Sequence, residues 1–392
     1  SDFKAKHDLK NNRKCDVLIV GGGLAGLSLL YNLKKNNVDA VLIEEKQIGS
    51  GASGRNGGFC LSGWAQDYDV LMKYLSKEEV VTLEQIAATG VQWMKKKCMS
   101  KGYEHTNLQP GVLKCFLSNN VEKVERDVIT QNHLFSQNEE FINKGKLNEY
   151  VCSDKYTCGV LRKDSFQFHP LNFMKALAQD CISLGASIFE NCKFVSYQIN
   201  SEKINSSIFN NNGVVNIQSE KIVFATGGYG GKEIKDLKNF WLPIKTFIGV
   251  TKPLGNELKS VLKKPLGFSD NRRAGNYYRV LPENRLSWGR GISAVGKFTS
   301  LSLKRVISKE ISYFFPELRN VEIDYVWSGN MAYASHYMPY VGSIKIGNEE
   351  KNVFSLMGFG GHGMNTAPGS AMVLADFILG KTSKHEVFNR FR

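Results

Sequence analysis

Two hydrophobic rhythms alternate along this chain. Residues 16–20 are a near-continuous apolar run ending in Gly21-Gly22-Gly23, the pattern of a strand buried on both faces of a parallel sheet. Residues 24–35 switch to a helical period and 40–43 return to an apolar run, so 15–45 reads as one βαβ unit. Helix formers with apolar spacing predict a helix over about 69–101, followed by a strand over 111–117 and a charged helical stretch over 121–146. An amphipathic helix is expected over 172–184, closed by Gly185. Strand-like segments follow at 187–189, 214–217 and 221–225. From about 241 to 324 short β-like runs alternate with Pro and Gly turns, which suits a mostly antiparallel sheet beside the parallel one. A strand at 353–357, a glycine-rich loop and a helix over 366–379 close the pattern.

At 392 residues, 42% of them hydrophobic, the chain can bury a large core as one interrupted α/β unit or two fused domains. No window approaches the roughly 18 uninterrupted apolar residues of a membrane span. The polar start, Ser1-Asp2-Phe3-Lys4, shows no signal peptide, and a cytoplasmic location is expected. Eight cysteines lie between Cys15 and Cys192 without a CxxC pair, and the Cys152 and Cys158 pair lacks zinc spacing, so reduced cysteines and no metal are expected. The excess of 51 Lys+Arg over 37 Asp+Glu gives +14. The lysines are scattered among asparagines such as Asn210-Asn211-Asn212, a compositional habit that does not form a nucleic-acid stripe.

The chemistry sits in four glycine-rich elements. Gly21-x-Gly23-x-x-Gly26 follows the first strand and opens a helix through Leu24 and Ala25. Gly21 allows the tight turn, Gly23 lets amides approach a pyrophosphate, and Gly26 lets helix and strand pack closely. Glu44 ends the second strand at the offset of an acid that holds ribose hydroxyls, with Glu45 as its competitor. The second element, Ile48-Gly49-Ser50-Gly51-Ala52-Ser53-Gly54-Arg55-Asn56-Gly57-Gly58, selects FAD over NAD. Its small residues let the chain lie along an extended cofactor, the Ser50 and Ser53 hydroxyls and free amides can bind phosphate or flavin, and Arg55 and Asn56 are placed at the flavin edge. Ala225-Thr226-Gly227-Gly228 is the third, and Gly358-Phe359-Gly360-Gly361-His362-Gly363-Met364 the fourth. The helix after the fourth, with Thr366 and Pro368 in its first turn, aims its dipole at the isoalloxazine and stabilises negative charge there.

The runs at 49–58 and 358–363 resemble the D-amino-acid oxidase superfamily, within it the gamma-glutamylputrescine oxidoreductase and glycine or sarcosine oxidase-like branch. The likeness extends to Phe168-His169-Pro170, Tyr277-Tyr278-Arg279, Asn284-Arg285-Leu286-Ser287-Trp288-Gly289 and Trp327-Ser328-Gly329. It implies an α/β protein with a Rossmann-like FAD-binding domain, assigned to 14–65, 150–235 and 325–392. An interleaved substrate domain on a mostly antiparallel sheet, with helical insertions, is assigned to 66–149 and 236–324. The chain departs from the family twice. No cysteine follows Cys192, which excludes the late-chain attachment of sarcosine oxidases and leaves FAD non-covalent. The oxygen-activating lysine of those enzymes has no counterpart in Arg285-Leu286-Ser287-Trp288-Gly289.

The resemblance implies oxidation of the C–N bond of a small amine or amino acid by hydride transfer to flavin N5, then imine hydrolysis, with oxygen or an electron carrier as acceptor. Positioning groups are expected more than a catalytic dyad. Tyr278 and Arg279 are the candidates for orienting substrate, Arg279 through a bidentate carboxylate fork, and His362 for tuning the flavin or passing a proton. His169 reads as a turn residue. The rival is a flavin-dependent tRNA-base-modifying protein, against which stands the lack of an RNA-binding module. Gly380-Lys381-Thr382 is no P-loop, because position 375 is Ala375 and the triplet follows a helix.

Overall fold

A computed structural model describes residues 9–61, 63–230, 240–272, 274–293, 299–334, 336–346 and 349–391. The N-terminal leader and the expected boundary at 235/236 lie outside the described residues.

Alternation in the first apolar strand, Arg13–Val20, divides the core in two. Val17 and Ile19 pack against the helices Leu24–Lys35, Pro170–Ser183 and Gly363–Ile378, while Leu18 and Val20 face the other layer with Phe194, Ile208 and Phe224. This strand lies between Gly213–Phe224 and Ala40–Ile43, parallel to both. Ser187–Phe189 and Glu349–Met357 extend the parallel sheet on either side, and Tyr340–Ile346 adds an antiparallel edge. The segments expected at 214–217 and 221–225 are one strand, Gly213–Phe224. Its first half pairs with a hairpin of Lys193–Asn200 and Lys203–Asn210, and its second half continues into the parallel sheet.

The second sheet runs Ile323–Ala334, Trp241–Thr251, Arg285–Ser293, Tyr277–Leu281, Gly267–Asp270, Gln109–Phe116, Cys158–Gln167, Phe59–Cys60, with Glu139–Ile142 also on Cys158–Gln167. Its pairings are antiparallel apart from Gly267–Asp270 with Gln109–Phe116. Three of these strands, Phe59–Cys60, Cys158–Gln167 and nearly all of Ile323–Ala334, fall in stretches assigned from sequence to the FAD-binding part. One face of the sheet is covered by the helix Ser300–Phe314, over a core containing Phe268, Tyr278 and Trp288.

Where helices were expected, local chemistry redraws the boundaries. The stretch at 69–101 divides into Tyr68–Tyr74 and Lys77–Cys98, because Ser76 and Glu79 form a capping box that starts a new helix. The stretch at 121–146 stops at Phe135, where Ser136 adopts φ 51°. Asn132 then bonds both Glu139 N and Glu139 O, directing the chain into the strand Glu139–Ile142. Ser300–Phe314 lies inside the stretch at about 241–324 expected to hold short β-like runs. Its buried residues Leu303, Ile307, Ile311 and Phe314 keep helical spacing instead.

Two glycines set the position of the last helix. A Cβ on Gly90 of Lys77–Cys98 would lie 1.8 Å from Asn365 O, and one on Gly369 of Gly363–Ile378 2.0 Å from Ile86 O. The two helices therefore cross backbone against backbone, which fixes where the second one begins. No disulfide joins any of the eight cysteines. Among the described residues no helix is long and apolar enough to cross a membrane.

Candidate active site

The first glycine turn is built by steric exclusion. Gly21 has φ +116°, and a Cβ there would stand 2.6 Å from Ala225 O; one on Gly26 would stand 2.0 Å from Gly21 O. Gly23 differs, since its Cβ position meets only Ser53 Oγ at 3.1 Å. That hydroxyl accepts from Leu24 N at 2.9 Å, joining the start of the helix Leu24–Lys35 to the second glycine-rich segment; Leu24 and Ala25 are buried in its first turn. Glu44 lies alongside, its Oε2 accepting from Gly22 N at 2.7 Å and its Oε1 from Lys46 N at 3.0 Å. Burial raises the Glu44 pKa, and the two amides oppose the shift. Glu45, its competitor, is exposed, with its Oε1 3.9 Å from Lys193 Nζ.

The second segment makes one helical turn, Ala52–Arg55, after Gly51. Ser50 N donates to Gln47 O, and the Gly51 Cβ position is 3.2 Å from the Tyr229 ring. Asn56 shapes the turn with its whole amide: Nδ2 donates to Ala52 O and Ser53 O, and Oδ1 accepts from Gly58 N. Arg55 is fastened to the second sheet, its carbonyl accepting from Trp327 Nε1 at 2.8 Å and its Nη1 donating to Ser328 O at 3.3 Å. These contacts hold the segment in place. Of the third element, Ala225 N donates to Val20 O and Thr226 Oγ1 lies 3.1 Å from Met357 Sδ. Gly227, at φ +56°, has nothing within 4 Å of its Cβ position.

The fourth element rests on the strand Ile323–Ala334 through Gly360 N, which donates to Ala332 O at 3.0 Å, and Gly361, whose Cβ position is 2.9 Å from the Tyr333 hydroxyl. The following helix starts at Gly363, three residues before the expected 366, so Pro368 lies in its second turn. Pro368 has no N–H for Met364 O, and Cys60 Sγ approaches that carbonyl at 3.9 Å. Thr366 Oγ1 donates to His362 O at 2.6 Å. His362 itself has a buried Nδ1 without a partner. Burial first, then the charges of Arg162 and Lys114, push its pKa down to about 4 against the Gly360 carbonyl and Asp67. It is a neutral imidazole at neutral pH.

The strand Tyr277–Leu281 separates the two substrate-orienting candidates. Tyr278 is fully buried in the core under Ser300–Phe314, its ring stacked 5.4 Å from Phe268 and 4.4 Å from Trp288, its hydroxyl 3.1 Å from that of Tyr156. The substrate role expected of it is corrected: its side chain lies on the face away from the glycine-rich segments. Arg279 lies on the near face, where a Cβ on Gly58 would come within 2.9 Å of its Nη2. Its Nε is buried without a hydrogen-bond partner, and burial alone lowers its pKa to about 10. Among the described residues it has no acidic partner. Tyr277, which was not singled out, shares that face. Its ring fills the space left by Gly289 and abuts Gly57, and its hydroxyl bonds Thr246. Strand parity makes Tyr277 and Arg279 co-facial, a signal in the sequence that would have found it.

A glycine turn that opens a helix on a parallel βαβ sheet, with a second, mostly antiparallel sheet beside it, is the arrangement of a dinucleotide-binding protein. The family described as "DAO: FAD dependent oxidoreductase" matches residues 16–377, and the chain belongs to that family. It is 26% identical over 387 residues to the gamma-glutamylputrescine oxidoreductase of Escherichia coli, covering 97% of this chain and 87% of that protein. It is 25% identical over 393 residues to the probable oxidoreductase OrdL of Haemophilus influenzae, covering 95% and 85%. The crystal structure of glycine oxidase from Bacillus cereus superposes with a TM-score of 0.73 at 19% identity, over 95% of this chain and 97% of that one, a likeness of fold. The cofactor is FAD, and the residues fit it. Gly227 and Gly23 leave room where side chains would intrude, Glu44 stands at the end of the second strand beside Gly22, and the helix Gly363–Ile378 opens from the glycine loop with its first-turn amides free of intrahelical acceptors.

Proposed function

We propose that this enzyme oxidises the C–N bond of a small amino acid or carboxylate-bearing amine, giving an imine that water hydrolyses. The observation that carries the reading is Arg279, a guanidinium buried beside Gly58 with no acidic partner among the described residues. A buried cation of this kind is costly until an anion meets it, and its planar fork suits a carboxylate. FAD, when bound, supplies the two-electron acceptor for the hydride.

The remaining work falls to the chain's own groups. Arg279 fixes the carboxylate end, and Tyr277, wedged between Gly57 and Gly289, provides a rigid wall beside it. Oxidation needs the amine nitrogen unprotonated, and the positive charges of Arg279, Lys114 and Arg162 disfavour a further ammonium nearby. His362, neutral above its lowered pKa of about 4, leaves that balance unchanged. No general base is required of the protein.

The test is anaerobic bleaching of the FAD-loaded enzyme's visible absorbance by glycine, sarcosine, D-amino acids and gamma-glutamylated polyamines. Bleaching by a carboxylate-bearing amine is expected, and readmitted air then distinguishes oxygen from an electron carrier as acceptor. Equal bleaching by amines without a carboxylate would remove Arg279 from the mechanism, and bleaching by none would sink the assignment.

A further inference from the structure

A second uncommitted cation shares the face that carries Arg279. On the strand Gln109–Phe116, Leu113 and Cys115 enter the core beneath the sheet, so Lys114 between them points to the opposite side. The register carries that side across the sheet: Lys114 pairs with Val160 and Ser269, and Ser269 with Tyr277. The neighbouring row reads Arg162, Val112, Gly267, Arg279. Lys114 is therefore co-facial with Tyr277, two strands or about 10 Å away. The Phe59 ring fills the space above Gly267 between them and meets Tyr277 edge-on at 5.9 Å.

The titratable groups that act on Lys114 are Arg162 on Cys158–Gln167, Glu139 on Glu139–Ile142, Asp67 just before Tyr68–Tyr74 and His362 just before Gly363–Ile378, while Glu84 on Lys77–Cys98 acts with Arg162 and Glu139. Glu139 is engaged by Arg162 Nε at 2.9 Å. Asp67 is exposed. The Lys114 ammonium, 5.5 Å from the Phe116 ring centre, has no carboxylate within ion-pair distance among the described residues. Burial, then the charge of Arg162, lowers the Lys114 pKa to about 8 against Asp67 and Glu139, while burial raises Glu84 to about 7. The site penalises charge, holds a lysine and gives it no counter-ion.

We propose that Lys114 is a second substrate anchor, binding an anionic group at the end of the molecule opposite the carboxylate held by Arg279. The substrate class is then an amino acid whose side chain or nitrogen substituent bears a second acid several bonds away. This rests on the reading of Arg279 given above. Both side chains are long and flexible, so their heads can close on an extended dianion across the Phe59 ring.

Hexanoate and adipate, equal in chain length and differing by one carboxylate, test the subsite through perturbation of the bound flavin's absorbance. In the FAD-loaded full chain adipate is expected to bind at least about ten-fold more tightly than hexanoate, as one added charge-assisted contact gives. Lys114→Met should erase that margin and Lys114→Arg should keep most of it, with FAD content showing that each variant is folded. Equal affinities in the unmodified enzyme, or a margin that survives Lys114→Met, would overturn the proposal. Bleaching by amino acids is a separate readout. Its failure with the adipate margin intact would sink the reaction and leave the subsite standing.

Discussion

Tyr278 and Arg279 are consecutive in the chain and lie on opposite sides of one sheet. Tyr278 stacks 4.4 Å from Trp288 in the core, and the Arg279 guanidinium packs beside Gly58. Replacing them should therefore have separable effects.

Arg279→Met is expected to weaken binding of carboxylate ligands on the order of 100-fold, the usual result of removing one side of a buried charge pair. FAD content should be retained. Because the arginine is buried without an acid, the ligand-free variant should melt no lower than the unmodified protein. Ligand titration and thermal melts check both halves.

Tyr278→Phe should leave ligand affinity unchanged and cost about 1 kcal/mol of stability, since the Tyr156 hydroxyl loses its buried partner. Denaturant unfolding beside a binding titration distinguishes this from a substrate role, which would show the reverse.

Gly90→Ala places a Cβ 1.8 Å from Asn365 O and must push the helices Lys77–Cys98 and Gly363–Ile378 apart. A loss of roughly 1–3 kcal/mol is expected from such overpacking. FAD retention should fall with it, because the helix that opens at the glycine loop moves. Gel filtration with absorbance at the flavin band reads that retention.

His362 gives a pH dependence of known sign. Its folded pKa, about 4, lies below its ordinary 6.5, so between these values the unfolded chain binds more protons. Its contribution is complete above about pH 6.5 and is lost as pH falls toward 4, by up to about 3 kcal/mol. The charged groups around it are Arg162, Lys114 and Asp67. In His362→Asn the slope of stability against pH over this range should flatten by one proton.

Much of the nucleotide-binding half was legible in the residues. The strand Ala40–Ile43, the helix Leu24–Lys35 and the strand Ser187–Phe189 fall where periodicity set them. The glycine turn at 21–26 lies between the first strand and that helix, because glycine there answers a local steric demand that sequence displays directly. The second half was less readable. Short alternating runs do not state which strand they pair with, and a helix such as Ser300–Phe314 begins with a strand-like alternation.

By itself the sequence determined the βαβ unit, the glycine-rich elements and the FAD chemistry they imply, since these depend on residues close together in the chain. Only the tertiary structure decided that Tyr278 is core, that Tyr277 and Arg279 face the glycine-rich segments, and that Lys114 joins them from a strand more than 150 residues away in sequence. The physical reason is that a strand sends alternate side chains to opposite faces, and which face is buried is fixed by pairing and packing with segments distant in sequence.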